Sequence, residues 1–409
     1  MSKYKRAKFK RANSNRALPA AWIYFLSLTL LPAICLGDPG SASKMEPSAG
    51  SEAAQDEAPA NAAEAPPISE RDVKFFGPLR VRDLMPLTLP FLDFVPSHAV
   101  EGSAGVLFFE LHHSHANTFI MSSNVREYLE DRGVERGRLR GEDFDAFAGF
   151  DEDAFYFDGA AGYANLTLHY SFSRDWNAYL KLPFIYYSGG FLDGGIEDFH
   201  EEFGFSDAGR PYVPKDISQV FLKLGDETLV FPDPGSSQGF ADPVLALSKA
   251  FRRGSATIVI EGAAKFAVAS ESDFLSSGAN DYGVQVSFHK QWTNRALYLA
   301  GSWVRLGKSG IFERLGLDDV QKVSGSYERL FGRRMSFVLQ GSASPSPFNT
   351  ESELGNEKFQ LSIGLRYAHR KNGAIEFGIT ENVSNFDSTP DIGFHFGIGW
   401  PIAKLGGGN

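Results

Sequence analysis

From about residue 104 to residue 400, apolar and polar residues alternate with a period of two, the signature of strands that are apolar on one face and polar on the other. The clearest run is KFQLSIGLRY, in which Phe359, Leu361, Ile363, Leu365 and Tyr367 face one way while Lys358, Gln360, Ser362, Gly364 and Arg366 face the other. YGVQVSFH sets Tyr282, Val284, Val286 and Phe288 against Gly283, Gln285, Ser287 and His289. ANLTLHYSFS aligns Ala164, Leu166, Leu168, Tyr170 and Phe172 on one face. IGFHFGIGW places Ile392, Phe394, Phe396, Ile398 and Trp400 opposite only glycines and His395. Such runs are about nine to eleven residues long, more than the usual globular strand and enough to cross a bilayer at a tilt. Aromatics stand near their ends, where two interfacial girdles would stand.

A soluble β-sandwich also alternates, but its connections have no reason to alternate in length. Here short polar turns at 173–177, 252–255, 293–295, 332–334 and 370–373 are interleaved with long loops at 267–281, 307–319, 344–357 and 382–391. That rhythm predicts an all-β chain folded as a transmembrane antiparallel up-and-down β-barrel, with the short turns periplasmic and the long loops outside. Strands near 164–172, 178–186, 243–251, 256–266, 282–290, 296–306, 320–329, 335–343, 358–367, 374–381 and 392–400, with a first strand within 104–121, make twelve. The hairpin QVFLKLGDETLVF, turning at Gly225 and Asp226, adds two more strands or an extracellular excursion, and both totals are even. The lipid face should reject arginine at Leu361 or Ile363, and the inner face should accept it at Gln360 or Ser362.

The N-terminus has another composition. Seven basic residues and no acid precede the apolar run AAWIYFLSLTLLPAICLG, a pattern that predicts an export signal over 1–37 cleaved after Gly37. An uncleaved anchor is the rival reading, although Pro19 and Pro32 shorten the unbroken run. Residues 38–75 are acidic, rich in Ala and Pro, and predicted to be a disordered linker, leaving 76–409 for the barrel. Cleavage would remove Cys35, the only cysteine, and leave 33 basic against 50 acidic residues. A balance of about minus 17 repels nucleic acid and excludes it as a partner. The partners that remain are outer-membrane lipid, the barrel assembly machinery and a small solute.

Three stretches carry a family resemblance: GPLRVRDLMPL (77–87), SGGFLDGGIEDFHEEFGFSDAGR (188–210) and GFADPVLALSKAF (239–251). Together they resemble the uncharacterised outer-membrane proteins grouped as domain-of-unknown-function family 3187, over roughly residues 76–400. The resemblance implies an outer-membrane β-barrel in a Gram-negative envelope, with no assigned reaction. The tail PIAKLGGGN beyond Trp400 departs from barrels that end on the aromatic read by the assembly machinery.

Candidate chemistry concentrates in the second stretch. Asp193, Asp198 and His200 are the residue types that bind a cation or do acid-base work, and Arg210 suits an anionic group, which makes the four ligand or constriction candidates. The alternative is an ordered surface loop whose acids cap a short helix, IEDFHEEF, and whose Arg210 forms an ion pair. In HHSHANTF, His113 and His115 share a strand face, but no carboxylate or fourth ligand is predicted beside them, so no metal is assigned. Ser287 and His289 also share a face, without a glycine-flanked nucleophile motif. No catalytic residue and no cofactor is expected. The expected function is a narrow passive channel or ligand-conducting barrel, with 188–210 as an extracellular or constricting loop. The alternatives are an outer-membrane enzyme acting on lipid or envelope polymer, and a structural barrel without transport.

Overall fold

A computed structural model describes residues 76–96, 104–189, 192–204, 208–231, 237–332, 334–369, 373–384 and 388–404. The export signal, its cleavage point and the linker fall outside these residues. Fifteen strands follow in chain order: β1 (Val106–Met121), β2 (Ala154–Ser171), β3 (Trp176–Ser188), β4 (Gln219–Leu224), β5 (Glu227–Phe231), β6 (Gln238–Phe240), β7 (Val244–Arg253), β8 (Ala256–Lys265), β9 (Asp281–Gln291), β10 (Arg295–Arg305), β11 (Val320–Phe331), β12 (Met335–Ser344), β13 (Lys358–His369), β14 (Gly373–Ser384) and β15 (Ile392–Lys404). Twelve of them, β1–β3 and β7–β15, close an antiparallel barrel, and β15 returns to β1 with Trp400 opposite Phe109.

The twelve-strand total is therefore the right one. The hairpin β4–β5 hangs on the end of β2, with Phe155 opposite Leu222, and is an excursion beyond the wall. β6 pairs with the end of β3 and β7 with its beginning, so the two form one wall strand broken at Pro243. The tail after Trp400 continues the ladder to Lys404, opposite Val106.

Side-chain parity is the reverse of a soluble protein's. On β13, Leu361, Ile363 and Leu365 are 37%, 47% and 49% exposed, while Ser362 and Arg366 on the other face are 3% exposed. An apolar exterior around a polar interior is what a lipid solvent selects.

β1 and β2 run 16 and 18 residues, well beyond the expected nine to eleven, and β2 starts at Ala154, ten residues before the predicted 164. The cause is burial on both faces. On the inward face Ile120, Phe155, Phe157 and Tyr163 join a core with Leu84, Leu87, Phe91 and Phe94. On the outward face Phe119, Met121, Tyr156 and Phe221 pack under two helices, α1 (Ser123–Arg132) and α2 (Gly141–Ala148), through Val125, Leu129, Phe144 and Phe147. With protein on both sides, no polar face is needed and the alternation disappears.

Candidate functional site

The interior is occupied by the chain itself. Residues 76–96 contain several prolines and only one short turn, Pro86–Thr88, so most of their backbone groups find no partner within the segment and must be satisfied by the barrel. The inward side chains of β11–β14 do this. Gln340 acts as a substitute strand: its Oε1 accepts from the Leu79 N–H at 2.9 Å and its Nε2 donates to the Leu79 carbonyl at 3.3 Å. Glu328 accepts the N–H groups of Phe76 and Gly77 at 3.4 and 3.2 Å, and also the Tyr298 hydroxyl at 2.8 Å. Arg366 donates to the carbonyls of Gly77 and Pro78 while its Nε lies 2.6 Å from Glu376 and its Nη1 3.4 Å from Glu328. Glu376 accepts the Arg80 N–H at 3.3 Å, and the Arg80 guanidinium reaches Glu110 on β1 at 3.2 Å. Further along, Asp83 pairs with Lys358 at 2.7 Å, Asp93 with Lys322, and the Leu92 N–H donates to Asp281 at 2.7 Å.

Glycines on the wall make the fit close. A Cβ at Gly364 would stand 2.5 Å from the Leu79 methyl, and one at Gly283 would stand 2.5 Å from the Phe94 ring. Apolar residues of the segment, Leu84 to Phe94, plug the lumen toward the long loops. Toward the short turns a polar cavity of about 60 Å³ remains, lined by Arg80, Glu110, His112, His169, Lys181 and Glu261 among others. There His169 lies 2.8 Å from Glu110, and the Tyr179 hydroxyl donates to Glu261 at 2.8 Å.

The narrow channel expected from the sequence therefore has a lumen occupied in part by residues 76–96. The inward polar residues are the ones expected, but many of them bind the 76–96 segment. A signal was present: the run LMPLTLPFLDFVP is apolar enough to need burial, and its prolines bar it from a ladder.

The four candidates of the 188–210 stretch are divided. Asp193 opens the helix α3 (Asp193–Phe203) and is buried, and Arg210 donates to it at 3.1 Å. Arg210 also donates to Asp391 at 2.5 Å and covers the Phe119 ring at 4.3 Å. The second oxygen of Asp193 accepts the Asp216 N–H at 2.7 Å, and Asn117 donates to the first at 3.0 Å. Burial pushes the Asp391 carboxyl up to about 6, with Arg210 pulling it down and Asp193 adding to the rise. Asn117 and Phe119 belong to the outward face of β1, so this cluster braces the outside of the rim and does not line the lumen. Asp198 is exposed and His200 half-buried further along α3, apart from the pair.

His113 and His115 do share a face, the outward one, and both contact the Tyr186 hydroxyl, at 3.1 and 3.0 Å. Tyr186 reaches them across Gly162, where a Cβ would stand 1.9 Å from its ring. Among the described residues no group of three or more His, Cys, Asp or Glu side chains is placed to hold a metal ion. Ser287 and His289 are buried on the inward face of β9, with the Tyr298 ring edge-on to His289 at 5.3 Å.

Residues 146–401 match the family described as Protein of unknown function (DUF3187), and the chain belongs to that family. No curated protein matches it. Among solved structures it is similar to the COG4313 outer membrane channel from Pseudomonas putida F1, with 9% identity over 76% of this chain and 100% of that one at a TM-score of 0.47. It is also similar to the NanC porin, with 9% identity, 61% and 100% coverage and a TM-score of 0.38. A third is the Pseudomonas putida toluene transporter TodX, with 8% identity, 73% and 89% coverage and a TM-score of 0.33. Likeness at this level leaves function to be argued from the chain's own geometry.

Proposed function

We propose that this protein is an outer-membrane channel of the Gram-negative envelope, exported through its N-terminal signal, whose conduction is limited by its own residues 76–96. The observation that supports this reading is the way the segment is held. Side chains and backbone caps bind it, and it pairs with no strand, so it can shift or leave without opening the ladder that closes the barrel. The polar cavity at the short-turn end is a vestibule, and the Leu84–Phe94 stopper is the barrier beyond it. A narrow, intermittently open, passive path for small solutes follows. Asp193 and Arg210 support the rim and take no part in selection.

Single-channel recording in planar bilayers tests this. The full chain should show low conductance with brief openings, and a chain lacking residues 76–96 should conduct several-fold more while keeping heat-modifiable migration. Equal conductance in the two chains would remove the segment from control. No conductance in either would leave a structural barrel.

A further inference from the structure

The lipid-facing wall is not uniform in charge. At the end that carries the short turns, the outward face of β7 to β11 presents Arg253, Lys290, Arg295 and Arg329. No Asp or Glu stands on the outward face of these five strands, although the chain as a whole has 50 acidic residues against 40 basic. On β12 to β14 the outward residues toward the same end, Met335, Phe337, Tyr367 and Ile375, are uncharged, so the strip stops at β11.

The register makes this strip a cost to the bare fold. Arg295 and Arg329 are direct partners across β10 and β11, and like charges placed so destabilise a sheet. Arg253 and Lys290 stand on either side of Ala256, about 10 Å apart with only a methyl between them. Aromatic rings hold the cations against the wall: Arg295 lies over Trp292 at 5.5 Å and Arg329 over Phe331 at 5.9 Å. Lys249, four residues before Arg253, lies over Trp176 at 4.9 Å. Rings at this level mark the interface where lipid headgroups stand. Toward the middle of the wall, Ile258, Ile260, Val286 and Phe288 are exposed and offer apolar surface. Guanidinium forks without a carboxylate on their face, beside such a surface, match a phosphate that carries acyl chains. We propose that this strip binds an anionic glycerophospholipid of the surrounding bilayer, its phosphate among Lys290, Arg295 and Arg329 and its acyl chains along Ile260, Val286 and Phe288. The site requires that the barrel stand in a membrane and not that it conduct.

The probes are phosphatidylglycerol and phosphatidylcholine with identical acyl chains, titrated into the full chain in detergent and counted on the folded barrel by native mass spectrometry. Wild type should hold phosphatidylglycerol about tenfold more tightly, the scale of two cations beside an anionic headgroup. Arg295→Gln with Arg329→Gln should erase most of that preference while keeping heat-modifiable migration. Arg305→Gln removes an exposed cation from the outward face at the other end of β10 and should leave the preference unchanged. Equal binding of the two lipids by wild type overturns the proposal. So does a preference that survives in the double variant, or one that falls as far in Arg305→Gln, as attraction by net charge alone would make it. If the double variant does not assemble, Arg253→Gln with Lys290→Gln carries the same expectation and decides the matter.

Discussion

The wall from β8 to β14 and the wall from β1 to β3 share one antiparallel ladder but lie between different surroundings. Across the first, one face meets lipid and the other a polar interior, so apolar and polar residues alternate, most clearly on β13, where Leu361, Ile363 and Leu365 are exposed while Ser362 and Arg366 are buried. In the upper part of the second, one face packs on Leu84–Phe94 and the other on α1 and α2, so residues 116–121 and 154–158 are buried without interruption. Alternation therefore reports a boundary between unlike media more than it reports a strand. Where both media are protein the strand persists and its pattern is lost.

The largest expected effect lies inside the first wall. Arg366→Met leaves Glu328 and Glu376 buried without their cation and frees the Gly77 and Pro78 carbonyls, a cost of about 3–5 kcal/mol. Lower thermal stability together with raised conductance is the expected outcome, and a barrel that loses neither would separate the segment from the wall. On the outer face of the same wall, Ile363→Arg should cost about 2–4 kcal/mol at mid-bilayer and reduce the heat-modifiable band. Arginine at neighbouring Ser362 is not the benign control that a water-filled lumen would make it. That hydroxyl sits 2.6 Å from Thr380 Oγ1 in a packed interior, and Gln360, half-buried, is the better control.

In the second wall, Phe221→Ala removes a ring that contacts Phe144 and Phe147, at a cost of about 3 kcal/mol confined to the rim. Hydrogen exchange should show α2 and β4 opening while β9–β14 stay protected; uniform loss of protection would mean that the two walls are one cooperative unit. The smallest effect is pH-dependent. Asp391 ionises near 6 in the fold against 3.8 unperturbed, so between those values the folded chain holds a proton that the unfolded chain has lost. Its contribution therefore falls as pH rises through this window, and the rim should be about 1 kcal/mol more stable at pH 5 than at pH 7.5. Exchange rates of residues 208–217 corrected for intrinsic pH dependence provide the readout, and Asp391→Asn should flatten the difference.

Much of the barrel is legible in the pattern because lipid and a polar interior impose it residue by residue: β8 to β15 lie within a few residues of where alternation places them. The lumen segment is not legible in this way, since its partners are set by closure of the barrel. Phe76 and Glu328 are 252 positions apart, and no local period announces the contact. The candidate chemistry fared likewise. Acids, a histidine and an arginine between Ser188 and Arg210 look like a site, yet Asp193 and Arg210 satisfy each other and Asp391 on the outside of the rim. The interior groups that hold the segment, Glu328, Gln340, Arg366 and Glu376, are scattered singly along strands whose polar faces gave no reason to choose among them.

The central claim is that residues 76–96 lie within the barrel, and the most direct test is the accessibility of Leu79, fully buried between Gly364 and Val338. In a chain with Cys35 replaced by Ser, Leu79→Cys would be exposed to a membrane-impermeant maleimide applied to both sides of folded barrels, beside the exposed short-turn control Asp175→Cys. The account predicts rapid labelling of Asp175→Cys and none of Leu79→Cys until heat unfolds the barrel. Labelling of Leu79→Cys as fast as Asp175→Cys in the folded protein would place the segment outside and contradict it.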